Sequence, residues 1–316
     1  MEKLFDIIFT TTFAYSILRV TTPILFAALA ALVSNKAGVI NIGLEGIMLT
    51  SALTGVVVSS FTQSALVGIL CAAIAGVLLS LLLAYFSLNL KSDIILTGIA
   101  LNLLASGGTV FLLYLIAKDK GISISLKSMV APEINIPILN SIPVLGDILS
   151  GHNILTYLAL IMVFFVYVLL YRTPLGLRIR AVGENSNAAD SVGISAKKIK
   201  YLALMLSGTL AGLGGAYMSM GYVSWFSRDM TAGRGFIALA AEAMGRGTPL
   251  GTLIASLVFG FADALSNVMQ SLRVPAEFVQ MIPYLTTILG LVLYSVQQAN
   301  RTKKYRREKD ENTSYY

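Results

Sequence analysis

Histidine, cysteine and tryptophan each occur once in this chain, as His152, Cys71 and Trp225. One cysteine builds neither a disulfide framework nor a thiolate metal cluster, and its place in an apolar run reads as packing. The sequence holds no HExxH and no Cys/His set for zinc. It also lacks a GxxxxGK[ST] phosphate loop, so by that route the chain does not hydrolyse ATP. No nucleophile stands paired with a base, which leaves little for an intramembrane enzyme to work with. Charge is scarce as well: 12% of residues are charged, against roughly 25% in an ordinary soluble domain.

What fills the space is apolar. Hydrophobic residues make up 56% of 316 positions and the mean hydropathy is +0.78, the composition of a polytopic membrane protein. The net charge of +7 would suggest nucleic acid in a soluble chain. Here the basic residues cluster in loops and the tail, where topology and anionic lipid account for them. Windows of about 20 apolar residues predict an all-α bundle of eight full spans. They are Val20 to Ser34, Ile40 to Ser60, Ser64 to Leu88, Ile94 to Ala117, Asn153 to Tyr171, Tyr201 to Val223, Leu250 to Met269 and Phe278 to Val296. Leu4 to Leu18 reads as an interfacial helix or a short first span, without the basic start and cleavage site of a removable signal peptide. Together these form one transmembrane domain over 1–300, followed by a basic tail over 301–316.

The positive-inside rule orients the bundle in the cell membrane. The tail carries Arg301, Lys303, Lys304, Arg306, Arg307 and Lys309, and the interruption Arg172 to Lys200 carries six Lys/Arg against two acids, so both are predicted to be cytoplasmic. Asn35, Lys36, Lys91 and Arg246 then lie inside as well, and the 118–152 segment with Pro132, Pro137 and Pro143 lies outside as short strands or an interfacial cap. The span from Tyr201 ends outside near Trp225, so the chain must return between Ser227 and Gly245. Gly235 to Gly245 is too short to cross as a regular helix. A short, broken returning helix of this kind survives only where protein or water satisfies its backbone, and is a candidate gate or translocation element.

Polar groups inside spans are the other candidates, since a mid-span charge costs about 2.5 to 3.5 kcal/mol on insertion scales. Asn41 and Glu45 share one helical face at i and i+4, in a segment loosened by Gly38, Gly43 and Gly46. Asn102 with Ser106, and Asp263 with Asn267, repeat that spacing, and Glu242 sits in the short helix. These side chains are predicted to line one interior. The plainer reading of an intramembrane Asn or Ser is a hydrogen bond to a neighbouring helix, and that of an acid is structural pairing. Gly212, Gly214 and Gly215 imitate a phosphate loop but have no preceding strand, so close helix packing accounts for them. Tyr222, Trp225 and Phe226 read as an aromatic belt, and Arg228 and Arg246 as interfacial anchors.

Within Arg172 to Lys200, Asn185 is a good N-cap, Ala188 and Ala189 are good helix formers, and Gly193 suits the position after a helix end. One or two helical turns on a cytoplasmic loop make a docking surface for another protein. The segment AADSVGI is similar to the EAAxxxG signature of ABC-importer permeases, with Asn187 in place of the acid. The fuller string GLRIRAVGENSNAADSVGI resembles the branched-chain amino acid and simple-sugar permease family. So do AGVINIGLEGIMLTSA at 37–52, GRGFIALAAEAMGRGTPLGTLIASLVFG at 233–260 and VQMIPYLTTILGLVLY at 279–294. NIGLEG, GFIALA, the PLG turn and MIPYLTT most resemble its nucleoside-importer branch, while GRGTP at Arg246 to Pro249 departs from the commoner wording.

That resemblance implies a permease subunit with no cofactor of its own. Its partners would be a cytoplasmic ABC ATPase holding ATP and Mg, a second and often non-identical permease, and an extracytoplasmic binding protein. Arg178, Arg180, Gly183, Glu184, Asn185, Ala188, Ala189, Asp190 and Gly193 would contact the ATPase. The rival class is an ion-coupled secondary transporter, for which broken helices and intramembrane acids are equally expected.

Overall fold

The computed structural model describes residues 10–136 and 144–271, together with 281, 285, 286, 288–290 and 292. Among these, seven helices are long and apolar enough to cross a membrane. They are α1 (Thr11–Lys36), α2 (Leu44–Thr62), α3 (Ala65–Ala84), α4 (Ile94–Ala117), α6 (Ile154–Arg172), α9 (Ala196–Tyr217) and α11 (Pro249–Ser271). Shorter pieces lie between them: α5 (Leu145–Leu149), α7 (Pro174–Glu184), α8 (Ser186–Ser191) and α10 (Arg234–Met244). The predicted eighth span, Phe278 to Val296, falls largely outside the described residues, as does the basic tail.

The first span differs from expectation. Residues 11–18 are not a separate piece but the first turns of a single 26-residue helix that continues through Pro23. Thr10 caps it by accepting from the Phe13 N–H at 3.2 Å. The second span starts later than its hydropathy suggests, at Leu44, because residues 37–43 are non-helical.

Helices α1 and α9 form the centre of the bundle. Helix α9 packs on α1, α2 and α3, and α1 packs also on α6, α10 and α11. Three glycines let α9 approach its neighbours: Gly212 abuts Ala72 and Ala73 of α3, Gly214 abuts Phe26 of α1, and Gly215 abuts Met48 of α2. Helices α3, α4 and α6 are peripheral. Leu66, Leu70, Ile74 and Leu78 of α3 are exposed at successive i+4 steps, and Leu96, Leu103 and Phe111 are exposed at steps of seven and eight along α4. A continuous apolar stripe of this kind is the surface a helix turns to lipid.

The two ends of the bundle differ in character. At one, Lys36, Lys91 and the Arg172 to Lys200 segment come together; Tyr201 donates to Asn89 Oδ1 at 2.9 Å and Tyr171 to the Gly247 carbonyl at 3.4 Å. At the other, residues 118–136 and 144–153 fold back over the helix ends. The Ser123 N–H donates to the Phe226 carbonyl at 2.9 Å, and Glu133–Ile134 (β1) pairs antiparallel with His152–Asn153 (β2), with Glu133 opposite Asn153 and Ile134 opposite His152. Pro137 and Pro143 lie outside the described residues.

His152 belongs to this cap. Its ring stacks on Tyr15 at a centroid distance of 3.9 Å, and its Nε2 donates to the Ile148 carbonyl at 2.8 Å. Burial holds the imidazole below its ordinary value of 6.5, against the opposing pull of the Ile148 carbonyl. A base whose folded pKa is depressed stabilises the fold above its unfolded value, and that contribution is lost as pH falls through the folded one. The melting temperature in detergent is therefore expected to drop from about pH 7.5 to about pH 5.5 by more in the wild type than in His152→Gln. Equal drops would contradict this account of the cap.

Candidate functional site

Two non-helical segments meet inside the bundle. The first, 37–43, joins α1 to α2, and Asn102 of α4 replaces the helical bonds it lacks. Asn102 Oδ1 accepts from the Gly46 N–H at 2.8 Å, and its Nδ2 donates to the Ile42 carbonyl at 3.0 Å. Asn41, fully buried, donates to Ser207 Oγ of α9 at 3.1 Å.

The second segment leads from α9 to α10. Ser106 of α4 donates to Asp229 Oδ1 at 2.7 Å, tying that loop down. Helix α10 then starts at Arg234, and its first N–H groups have no partner within the helix. Glu45 supplies one. Its Oε1 accepts from the Gly233 N–H at 2.8 Å and its Oε2 from the Gly235 N–H at 2.7 Å. Because Glu45 also lies in the first turn of α2, its carboxylate sits at two positive helix ends at once. Gly235 permits this, since a Cβ there would come within 2.5 Å of the Glu45 amide nitrogen.

Beside it Arg234 Nη2 donates to Asp263 Oδ2 of α11 at 2.7 Å, with side chains only 13% and 14% exposed. A largely buried guanidinium and carboxylate in contact offset each other's desolvation. At the far end of α10, Glu242 is 5% exposed, and both its oxygens accept from Asn35 Nδ2, at 3.1 and 3.0 Å.

The predicted interior residues therefore divide. Glu45 and Asp263 converge on the start of α10; Glu242 marks its end; Asn102 and Asn41 brace the 37–43 segment; Ser106 holds the 229 loop. Asn267 is exposed and stands apart from them. Arg234 and Asp229 are not among the predicted site residues, and Asn35 is read only for topology. The signal for Arg234 was the intramembrane acid itself, which called for a cation, and Arg234 opens the short helix.

At the basic end, the loop between α6 and α9 holds two helices where one was predicted. Thr173 caps α7 by accepting from the Gly176 N–H at 3.1 Å, and Pro174 occupies its first turn. Helix α8 follows at once, capped by Asn185, whose Oδ1 accepts from the Ala188 N–H at 3.0 Å. Its other end is a Schellman turn. Gly193 has φ +84°, its N–H donates to the Asp190 carbonyl at 3.0 Å, and the Ile194 N–H donates to the Ala189 carbonyl at 3.0 Å. Asp190 Oδ1 then accepts from the Ala196 N–H at 2.8 Å and so starts α9. Ala189 faces inward, while Asn187, Ala188 and Val192, the last 75% exposed, face out.

Helix α7 lies across the end of α1. Gly183 abuts the Lys36 carbonyl, and Gly38 packs back on Gly183. Arg180 stacks over Tyr171 at 5.0 Å, while Arg178 and Glu184 are exposed. Behind α7 a cavity of about 640 Å³ is lined by Asn35, Lys36, Arg180, Glu184, Glu242 and Arg246 among others. A second, of about 590 Å³, lies at the opposite end beside Gln63, Lys127 and Trp225. Among the described residues no three His, Cys, Asp or Glu side chains form a group suited to a metal.

Comparison with known proteins places the chain in a family. Residues 13–291 match the family described as branched-chain amino acid transport system / permease component. The nucleoside ABC transporter permease protein NupC of Lactococcus lactis subsp. cremoris is 36% identical over 285 residues, 87% of this chain and 89% of its own length. The guanosine ABC transporter permease protein NupQ of Bacillus subtilis is 37% identical over 304 residues, 92% of each chain. The putative glucose ABC transporter permease protein TsgC13 of Haloferax volcanii is 34% identical over 274 residues, 84% of this chain and 81% of its own. Matched over residues 13–291 and 34–37% identical to these relatives over most of their length, the chain belongs to the branched-chain amino acid transport system permease family.

Proposed function

We propose that this chain is a membrane-spanning subunit of an ATP-driven importer for nucleosides. The observation that carries the coupling part is α8: a short helix capped at both ends, with Ala189 turned inward and Asn187, Ala188 and Val192 turned out. Such a rigid knob is suited to a groove on a second protein. With the 172–200 loop in the cytoplasm, that protein is an ABC ATPase, which holds ATP and Mg, and Arg178, Glu184 and Asp190 flank the contact. A second, non-identical permease and an extracytoplasmic binding protein complete the assembly.

The cargo follows from the site and from the relatives together. In a broken-helix transporter the half-helix N-terminus is the natural seat for a substrate carboxylate. Here the start of α10 is filled by the chain's own Glu45, which favours an uncharged solute over an amino acid. NupC and NupQ are named for nucleosides and guanosine, TsgC13 for glucose. All three cargoes are neutral, so a sugar is the second reading.

Closure of the ATPase pair would draw on α8 and, through α7, on the end of α1. Reciprocity requires that the loaded binding protein outside favour the same state that ATP favours inside. Gly193→Arg places a bulky residue at φ +84° and breaks the Schellman turn. It is expected to leave the protein inserted while ATPase co-purification and uptake both fall at least about tenfold, a loss of roughly 1.4 kcal/mol or more in binding. Normal co-purification with normal uptake would sink the docking assignment. In the wild-type importer, labelled guanosine uptake should need ATP and resist competition by leucine and glucose. Uptake that follows an ion gradient instead of ATP would favour a secondary transporter, and competition by glucose would favour the sugar reading.

A further inference from the structure

Helix α10 connects the basic-end cavity to the middle of the bundle, and each of its ends is held by a carboxylate rather than by apolar packing alone. At its end, Glu242 is bonded by Asn35, the penultimate residue of α1. The next residue, Lys36, offers the carbonyl against which Gly183 of α7 rests. At its start, roughly 10 Å away along the axis from Gly235 to Glu242, Glu45 of α2 holds two N–H groups and Asp263 of α11 holds Arg234. A contiguous series of close contacts thus runs from α7 through the end of α1 to Glu242, along α10, and into α2 and α11. An 11-residue helix is stiff, and its 3.6-residue backbone ladder resists stretching far more than the 37–43 segment beside it.

We propose that α10 is the strut through which movement of the 172–200 loop reaches the two mid-bundle breaks, with Glu45 and Asn35 as its positioning residues. This rests on the reading of the chain as an ABC permease. A push at Gly183 shifts the Lys36 to Gly38 turn, displaces Glu242 with Asn35, and moves the start of α10 against α2 and α11. Glu45 makes that joint directional, because two bonds from one carboxylate fix both the position and the rotation of the first turn. A glutamine there keeps one acceptor oxygen and faces the second N–H with an NH₂ group, so the joint loosens without loss of volume. Asn35→Ala frees the other end and removes no charge.

Glu45 lies in the bundle away from α7 and α8, and Asn35, although exposed in the cavity it shares with Arg180 and Glu184, belongs to neither helix, so the strut predicts uncoupling rather than loss of assembly. The test compares the complete importer in proteoliposomes with Glu45→Gln and with Asn35→Ala, reading ATPase content, ATP hydrolysis and uptake per ATP hydrolysed. The expected result is wild-type ATPase content, basal hydrolysis within about twofold, and uptake per ATP reduced about tenfold or more in each variant, the equivalent of about 1.4 kcal/mol of lost coupling. A residue that only stabilised the fold would lower hydrolysis and uptake together and leave their ratio unchanged, and that outcome overturns the proposal. Should Glu45→Gln fail to accumulate, Asn35→Ala carries the same comparison from the opposite end of the strut. A wild-type chain that recruits no ATPase overturns the permease reading and the strut with it, whereas an unchanged ratio in an assembled importer overturns the strut alone.

Discussion

A peptide group inside a bilayer must find a hydrogen-bond partner in the protein, because no water is there to provide one. That constraint shapes the centre of this molecule. Two stretches, 37–43 and the run into α10, leave the helical ladder, and side chains take over the bonds. Asn102 serves the Gly46 N–H and the Ile42 carbonyl, and Glu45 serves the Gly233 and Gly235 N–H groups. An orphaned buried donor costs about 1 to 3 kcal/mol, so losing Glu45 would expose two such costs at once. The charge on Glu45 is tolerable for the same reason: two helix N-termini and two N–H donors surround it.

The consequence is a rigid interior assembled from parts that would be weak points alone. Helix α10 is too short to cross by itself, yet α1, α2 and α11 all pack on it, and polar contacts hold both of its ends. The basic-end loop follows the same design. Helix α8 has only six residues, too few to persist by propensity, and it is kept in shape by Asn185 before it and the Gly193 turn after it. In both places a brief element gains definition from caps, and both elements are the ones implicated in function.

Much of this was legible in the chain. The α4 span runs from Ile94 to Ala117, as hydropathy indicates, because Asp93 stops the apolar run and caps the helix with bonds to the Ile95 and Leu96 N–H groups. The short returning helix lies within a residue of its predicted start and end, since glycines bracket it. Asn185 and Gly193 act at the ends of α8 because cap chemistry is local. What could not be read is tertiary. Nothing adjacent to Glu45 in sequence indicates that its partners are 188 and 190 residues away. Spans that are apolar all round conceal which face turns inward, so Asn102 and Asn267 looked alike, and only packing separates the brace from the exposed residue. Helix α7 is the exception: Thr173 followed by Pro174 is a local start signal, and it was masked by the polarity of the surrounding loop.

Glu45 closes the first turn of α10 in the middle of the bundle. Amide hydrogen exchange on the membrane-embedded protein tests it directly, in a peptide that spans Gly233 and Gly235. Protection comparable with the interior of α9 is expected in the wild type, and exchange at least about tenfold faster in Glu45→Gln, the kinetic equivalent of about 1.4 kcal/mol of lost local stability. Rapid exchange in the wild type, or identical exchange in the two proteins, would contradict it.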